Sequence, residues 1–398
     1  HQKISFHPLT FMPEEDGISI GRFGTDTFAV FPEDGAELVK RLQAGMTIGE
    51  AKQWYMETYQ EDLDIDDFLD ILRDLTFVNE EGADTEAAGR LLLGQRLGKW
   101  AFSPVAWVVY ALLFSGAAYF LWHYQEFRPH RNLLFFSDYS TLIILGLFAG
   151  QVPGLLFHES MHLLAGRRLG IPSTMSFGRR LYYFVFEASM PGIWGLPRNR
   201  RYLPFLAGMF GDLLWYAGLI IAAGLLTQQS GEVGSVARWC LALSFGTVLR
   251  IIWQFYFHLQ TDIYYVFTTM LGCINLQQTT KELLKNVWYR AIRARHKMID
   301  PANWAPRDLQ VARWYVWFYS LGCGVMLAVM VLVMIPVAFR FLSTVYENLI
   351  HGDTAHIWDS ITFVTVNGIN YGLVFWMYLR ERKARRRQAV QAPLTQGG

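Results

Sequence analysis

Residues 140–165 read STLIILGLFAGQVPGLLFHESMHLLA, and Glu159 is the only formal charge among them. At 1.5 Å per residue such a run crosses a hydrocarbon core of about 30 Å as a helix. Further stretches nearly free of charge lie at 101–122, 203–226, 237–262, 313–340 and 357–379, so the reading expects six spans. Composition points the same way. The chain is 52% apolar and only 17% charged, against about 25% charge in an ordinary soluble domain.

The polar end of the quoted run is Phe157-His158-Glu159-Ser160-Met161-His162-Leu163. On a helix His158 and His162 stand one turn apart and point the same way, so two imidazoles can take one Zn²⁺ while Glu159 reaches the attacking water. Three ionisable groups in one turn of a membrane helix are costly and call for a function.

Charge divides the chain near residue 95. Residues 1–95 hold 20 acids against 7 bases, net −13, and residues 96–398 are net +14. The acidic, mixed start has neither the basic nor the apolar region of a cleavable signal, so none is expected there. Arg167, Arg168, Arg179, Arg180, Arg198, Arg200 and Arg201, the stretch 277–313 and the tail from Arg380 to Arg387 fall on one side of the expected spans. Arg128, Arg131, Arg238 and Arg340 fall on the other. This asymmetry puts both termini in the cytoplasm of a multi-pass cell-membrane protein. The basic tail is read as an anchor against anionic lipid. Cys240, Cys273 and Cys323 lie far apart and have neither disulfide nor zinc-finger spacing.

Between the second and third spans, 176–187 is rich in aromatic and β-branched residues and reads as strands that must dock on protein or line a wet cavity. Residues 278–300 read as a basic surface helix ended by Pro301. In the acidic head, 17–31 reads as a β-hairpin turning at Gly24-Thr25-Asp26. Helices are expected at 33–44, at 47–59 behind the capping box Thr47-x-x-Glu50, and at 64–75 behind Asp64. The fold expected is therefore an all-α polytopic membrane protein with a small β insertion (91–398) behind a small α+β winged-helix domain (1–90).

The order hairpin, helix, Thr-initiated helix, acidic turn, helix over 15–80 resembles the PqqD-like peptide-recognition element of modified-peptide biosynthesis. That resemblance implies a leader peptide added as a strand at the hairpin edge and lying on the last helix, with Ile18, Ile20, Phe68 and Leu72 as the contacting side chains. Net −13 argues against a nucleic-acid partner. The membrane part resembles the site-2 protease family of intramembrane zinc metallopeptidases. The likeness rests on His158-Glu159-x-x-His162, on Ala207-Gly208-Met209-Phe210-Gly211-Asp212 and on Gln260-Thr-Asp262-Ile-Tyr264-Tyr265 followed by Asn275-Leu276. Departures from the family pattern are Met209 for Pro, Asp212 for Asn and Ile263 for Gly. The resemblance implies Zn²⁺ held by His158, His162 and Asp262, with Glu159 catalytic. His258, four residues before Asp262, is the rival third ligand if the fourth span stays helical. With Asn275 and Arg250, His258 is otherwise a candidate to support the ligands or an oxyanion, and Arg250 is also a partner for a buried Asp212.

The function this implies is cleavage of a ribosomally made precursor peptide, with leader removal, beside peptide-modifying enzymes or an exporter and in a lipid bilayer. The alternatives are a regulatory protease of a membrane-anchored signalling protein and a non-catalytic export or immunity component.

Overall fold

The computed structural model describes residues 3–14, 17–22, 27–61, 63–79, 94–180, 183–273, 275–301 and 304–391. It begins with strands β1 (Leu9–Glu14), β2 (Gly17–Arg22) and β3 (Phe28–Phe31), followed by helices α1 (Glu33–Gln43), α2 (Ile48–Tyr59) and α3 (Ile65–Asp74). The three helices stand where capping and periodicity place them. Thr47 and Glu50 exchange both bonds of the capping box, and Asp64 accepts from the amides of Asp66 and Asp67 at 3.2 Å each. Their apolar faces close over the sheet in one core that includes Ile20, Leu38, Leu42, Leu69, Leu72 and Phe77. The Tyr55 hydroxyl donates to the Asp34 carboxylate. That bond, together with burial, pushes the phenol up to about 12, and it holds Asp34 below the usual carboxylate range.

The hairpin forms as an antiparallel pair with Ile18 opposite Phe31 and Ile20 opposite Ala29; its turn at 24–26 lies outside the described residues. A strand was missed, however. β1 pairs antiparallel along the other side of β2, with Phe11 opposite Ile20, so β2 is the centre of the sheet and offers no edge. Ile20 and Leu72 are completely buried, which corrects their expected role as peptide contacts: both fill the core. Ile18 and Phe68 are partly buried against the same cluster. The edges of the sheet are β1 and β3. Arg22 N–H bonds the Thr27 carbonyl, so the antiparallel alternation turns the amides of Phe28 and Val30 away from β2. Both side chains are exposed.

The expected domain boundary near residue 90 lies outside the described residues. Beyond it come α4 (Gln95–Ala101), α5 (Pro104–His123), α6 (Ser140–Arg168), β4 (Thr174–Arg180), β5 (Tyr183–Ser189), α7 (Arg198–Ser230), α8 (Ser235–Trp253), α9 (Asp262–Leu271), α10 (Leu276–Ala291), α11 (Pro306–Val329), α12 (Ile335–His351) and α13 (Thr354–Gln391). The protein is mostly helical. Among the described residues, α5, α6, α7, α8 and the joined α11–α12 are the five helices long and apolar enough to cross a membrane. α13, read from sequence as a sixth span, is continuous helix but is not among them.

Polar side chains finish the membrane helices. Asp359 of α13 accepts from the first amides of α6, Ser140 and Thr141, at 2.7 and 3.0 Å. A π-helical turn at Met330–Met334 joins α11 to α12 just before Pro336. Proline cannot donate to the carbonyl four residues back, and that carbonyl, of Leu332, accepts instead from Arg131 at 3.2 Å.

One expectation is met and two shift. The strand segment is the antiparallel hairpin β4–β5, pairing Met175 with Ala188. The basic helix runs over Leu276–Ala291 and stops well before Pro301, at Arg293 in a left-handed conformation. Finally, α8 stops at Trp253, short of the expected 262. The chain then turns through a loop before α9, so His258 and Asp262 do not share a helix face.

Candidate metal centre

The centre is built where α7 crosses α6. Gly208 makes the crossing close enough: a Cβ there would lie 2.1 Å from His162 Nε2 and 2.5 Å from His158 Nε2. At Gly211 a Cβ would meet Met161 at 2.8 Å. Small residues thus let one membrane helix lie on the imidazoles of the other, which explains the Ala207-Gly208-x-x-Gly211 run.

Both imidazoles are buried and both are oriented from behind. His158 Nδ1 bonds Asp212 Oδ2 at 3.0 Å, and His162 Nδ1 bonds the Pro204 carbonyl at 2.7 Å. A carboxylate and a carbonyl can only accept, so each Nδ1 carries a proton, and in the neutral imidazole the Nε2 lone pair then faces the other ring. Those two Nε2 atoms are 3.2 Å apart. Asp262, the first residue of α9, brings Oδ2 to 3.4 Å from His158 Nε2 and 3.3 Å from His162 Nε2. One carboxylate oxygen thus faces two imidazole nitrogens, an arrangement that can share a proton or a cation. Among the described residues this is the one trio of His, Cys, Asp or Glu whose ligand atoms gather in this way. Its donors, two imidazoles and a carboxylate, are those of a small tetrahedral cation such as Zn²⁺.

Asp212 sits fully buried in α7 and ties the centre to a wider network. Its Oδ1 lies 2.8 Å from Arg250 Nε and 2.6 Å from Nη2. Arg250 in turn donates to Gln151 at 3.2 Å. One carboxylate therefore neutralises a membrane-buried guanidinium and fixes the tautomer of His158. The sequence reading anticipates the Asp212–Arg250 pair but not the bond to His158.

Glu159 is half-buried beside the two histidines. Its Oε2 accepts the Ala188 amide of β5 at 2.8 Å, which pins the outer edge of the β4–β5 hairpin onto α6. The turn that follows the hairpin, Ile193–Gly195, meets the head: a Cβ on Gly195 would lie 3.0 Å from Thr10 Oγ1 of β1. β1 and β2 thus lie against the membrane part at this turn.

Two candidates lie elsewhere. His258 sits in the loop between α8 and α9, stacked on Tyr256 with ring centroids 5.7 Å apart and edge-on to Tyr319. Its own carbonyl accepts from Gln277. Asn275 caps α10 beyond the far end of α9, with its amide 2.8 Å from an Asp308 oxygen. Ile263 packs with Phe257 and Tyr264 and leaves Asp262 directed at the histidines. Helical backbone at this position accepts a β-branched residue. Comparison with protein-family models, with curated proteins and with solved structures finds no match to this chain.

Proposed function

We propose that the chain is a membrane-embedded zinc endopeptidase of the site-2 protease type. In this reading it has six spans, with both termini on the cytoplasmic side of the cell membrane. Its head is a PqqD-like winged-helix reader, and together the two parts remove the leader of a ribosomally made precursor peptide. The observation that carries this is the convergence of His158 Nε2, His162 Nε2 and Asp262 Oδ2 on the helical turn that bears Glu159. Their separations of 3.2, 3.3 and 3.4 Å agree with about 3.3 Å between neighbouring ligands of a tetrahedral ion bound at 2.0–2.1 Å. Zinc with three protein ligands leaves a position open, supplies a water-derived nucleophile near neutral pH and polarises a carbonyl.

The residues divide the remaining work. Glu159 takes a proton from the attacking water on its carboxylate and gives it to the departing amine. Asp212 and Pro204 hold the imidazoles, so that no reorientation is needed when substrate arrives. Around them the helices bury both imidazoles, and Glu159 holds the outer edge of β5 through the Ala188 amide. The expected test is metal content: the purified protein holds about one zinc per chain, a chelator ends cleavage of a co-encoded precursor, and zinc restores it. Cleavage by fully metal-free protein would overturn the reading.

The head captures peptide along β3, whose amides at Phe28 and Val30 point outward and whose Phe31 meets Phe68 of the third helix edge to face. Val30→Pro removes an outward N–H and leaves the β2 ladder intact. Loss of that bond, worth about 1–1.5 kcal/mol, should weaken leader binding roughly 5–10-fold. Titration with the leader checks it, and unchanged affinity would exclude β3 as the docking edge. Peptide-modifying enzymes or an exporter are the partners this reading assigns.

A further inference from the structure

Between α8 and α9 the chain leaves helical form after Trp253 and returns with Asp262 against the histidines. Gln254, 6% exposed, stands at the start of this loop and makes three bonds across it. Its Nε2 donates to Asp262 Oδ2 at 3.0 Å. Its Oε1 accepts the Asp262 backbone N–H at 3.0 Å, and its main-chain carbonyl accepts the Thr261 hydroxyl at 2.8 Å.

The orientation of the amide follows from its partners, since only the NH₂ end can donate to a carboxylate and only the oxygen can accept an N–H. Asp262 is therefore gripped at backbone and side chain by one residue. The oxygen that Gln254 holds is the same Oδ2 that faces both Nε2 atoms.

We infer that Gln254 is the positioning residue of the metal centre, holding the Asp262 carboxylate in ligand geometry before the ion arrives; this rests on the zinc reading above. The chemistry suits glutamine in particular. Glutamate would set a second negative charge against Asp262 and lose the donor. Asparagine, one methylene shorter, does not span both bonds. An apolar side chain would leave the Asp262 amide and carboxylate without these partners. A helix simply continued from α8 would leave no means of turning Asp262 back toward α6.

The test uses the full-length protein in detergent, with zinc affinity measured by chelator competition and the visible spectrum of the Co²⁺-loaded form. Gln254→Glu keeps the acceptor for the Asp262 amide and deletes the donor to its carboxylate. Zinc should bind roughly 10–100-fold more weakly, and the cobalt bands should shift and lose intensity, with circular dichroism and elution volume unchanged. A merely structural glutamine would alter thermal stability and leave the cobalt spectrum alone. Should Gln254→Glu fail to fold, Gln254→Met, neutral and close in volume, carries the same decision. Wild-type affinity and cobalt spectrum in a folded variant overturn the inference while leaving the zinc reading in place. A wild-type protein that takes up no zinc overturns both.

Discussion

Glu159→Gln is expected to keep zinc and lose cleavage. The amide is nearly isosteric, and its oxygen can still accept the Ala188 N–H that the carboxylate accepts now, so α6 and the hairpin stay in register. A neutral amide cannot take a proton from water, and a positioned general base contributes on the order of 10²–10⁴-fold to rate. Turnover of a purified precursor should therefore fall by at least that factor with metal content at the wild-type level. Near-normal turnover would end the hydrolytic assignment, whereas joint loss of metal and activity would mean that Glu159 supports the ligands as well. The direction of the KM change is informative too. A base that acts only during reaction lowers kcat and leaves substrate binding alone.

Asp262→Ala is expected to lose the zinc outright, and His258→Ala is expected to retain it. Asp262 is the atom donor that closes the trio with His158 and His162, and its removal leaves two imidazoles, too few for a tetrahedral protein site. His258 packs between Tyr256 and Tyr319, so its truncation costs packing in the loop and no ligand. Zinc measured on both purified variants decides between them. Full zinc in Asp262→Ala with loss in His258→Ala would restore the three-histidine alternative, and with it a continuous fourth helix.

How much of this was legible beforehand follows from the range of each interaction. The span positions at the second, third and fifth membrane helices follow from apolar length, a local property. The three helices of the head stand within a residue or two of where Thr47, Asp64 and the apolar periodicity put them, because caps and i, i+4 faces are fixed within one turn. The pairing of His158 with His162 belongs to the same class: two residues one turn apart on any helix share a face. β1 does not stand out in the sequence, although Asp16-Gly17 marks a turn before β2, because Pro13 and the acids after it break its apolar run. Its presence made β2 central, buried Ile20 completely and left β1 and β3 as the edges of the sheet.

The sequence by itself thus determined a mostly helical membrane chain, the helices of its acidic head and a histidine pair with an adjacent glutamate on one helical turn. Only the tertiary structure decided that Asp262, rather than His258, joins that pair, that Asp212 bonds both His158 and Arg250, and that Gln254 bonds the Asp262 carboxylate. Each of these joins residues on different elements. Whether they meet depends on where α8 breaks and on how closely Gly208 lets α7 approach α6, and local periodicity carries no information about either.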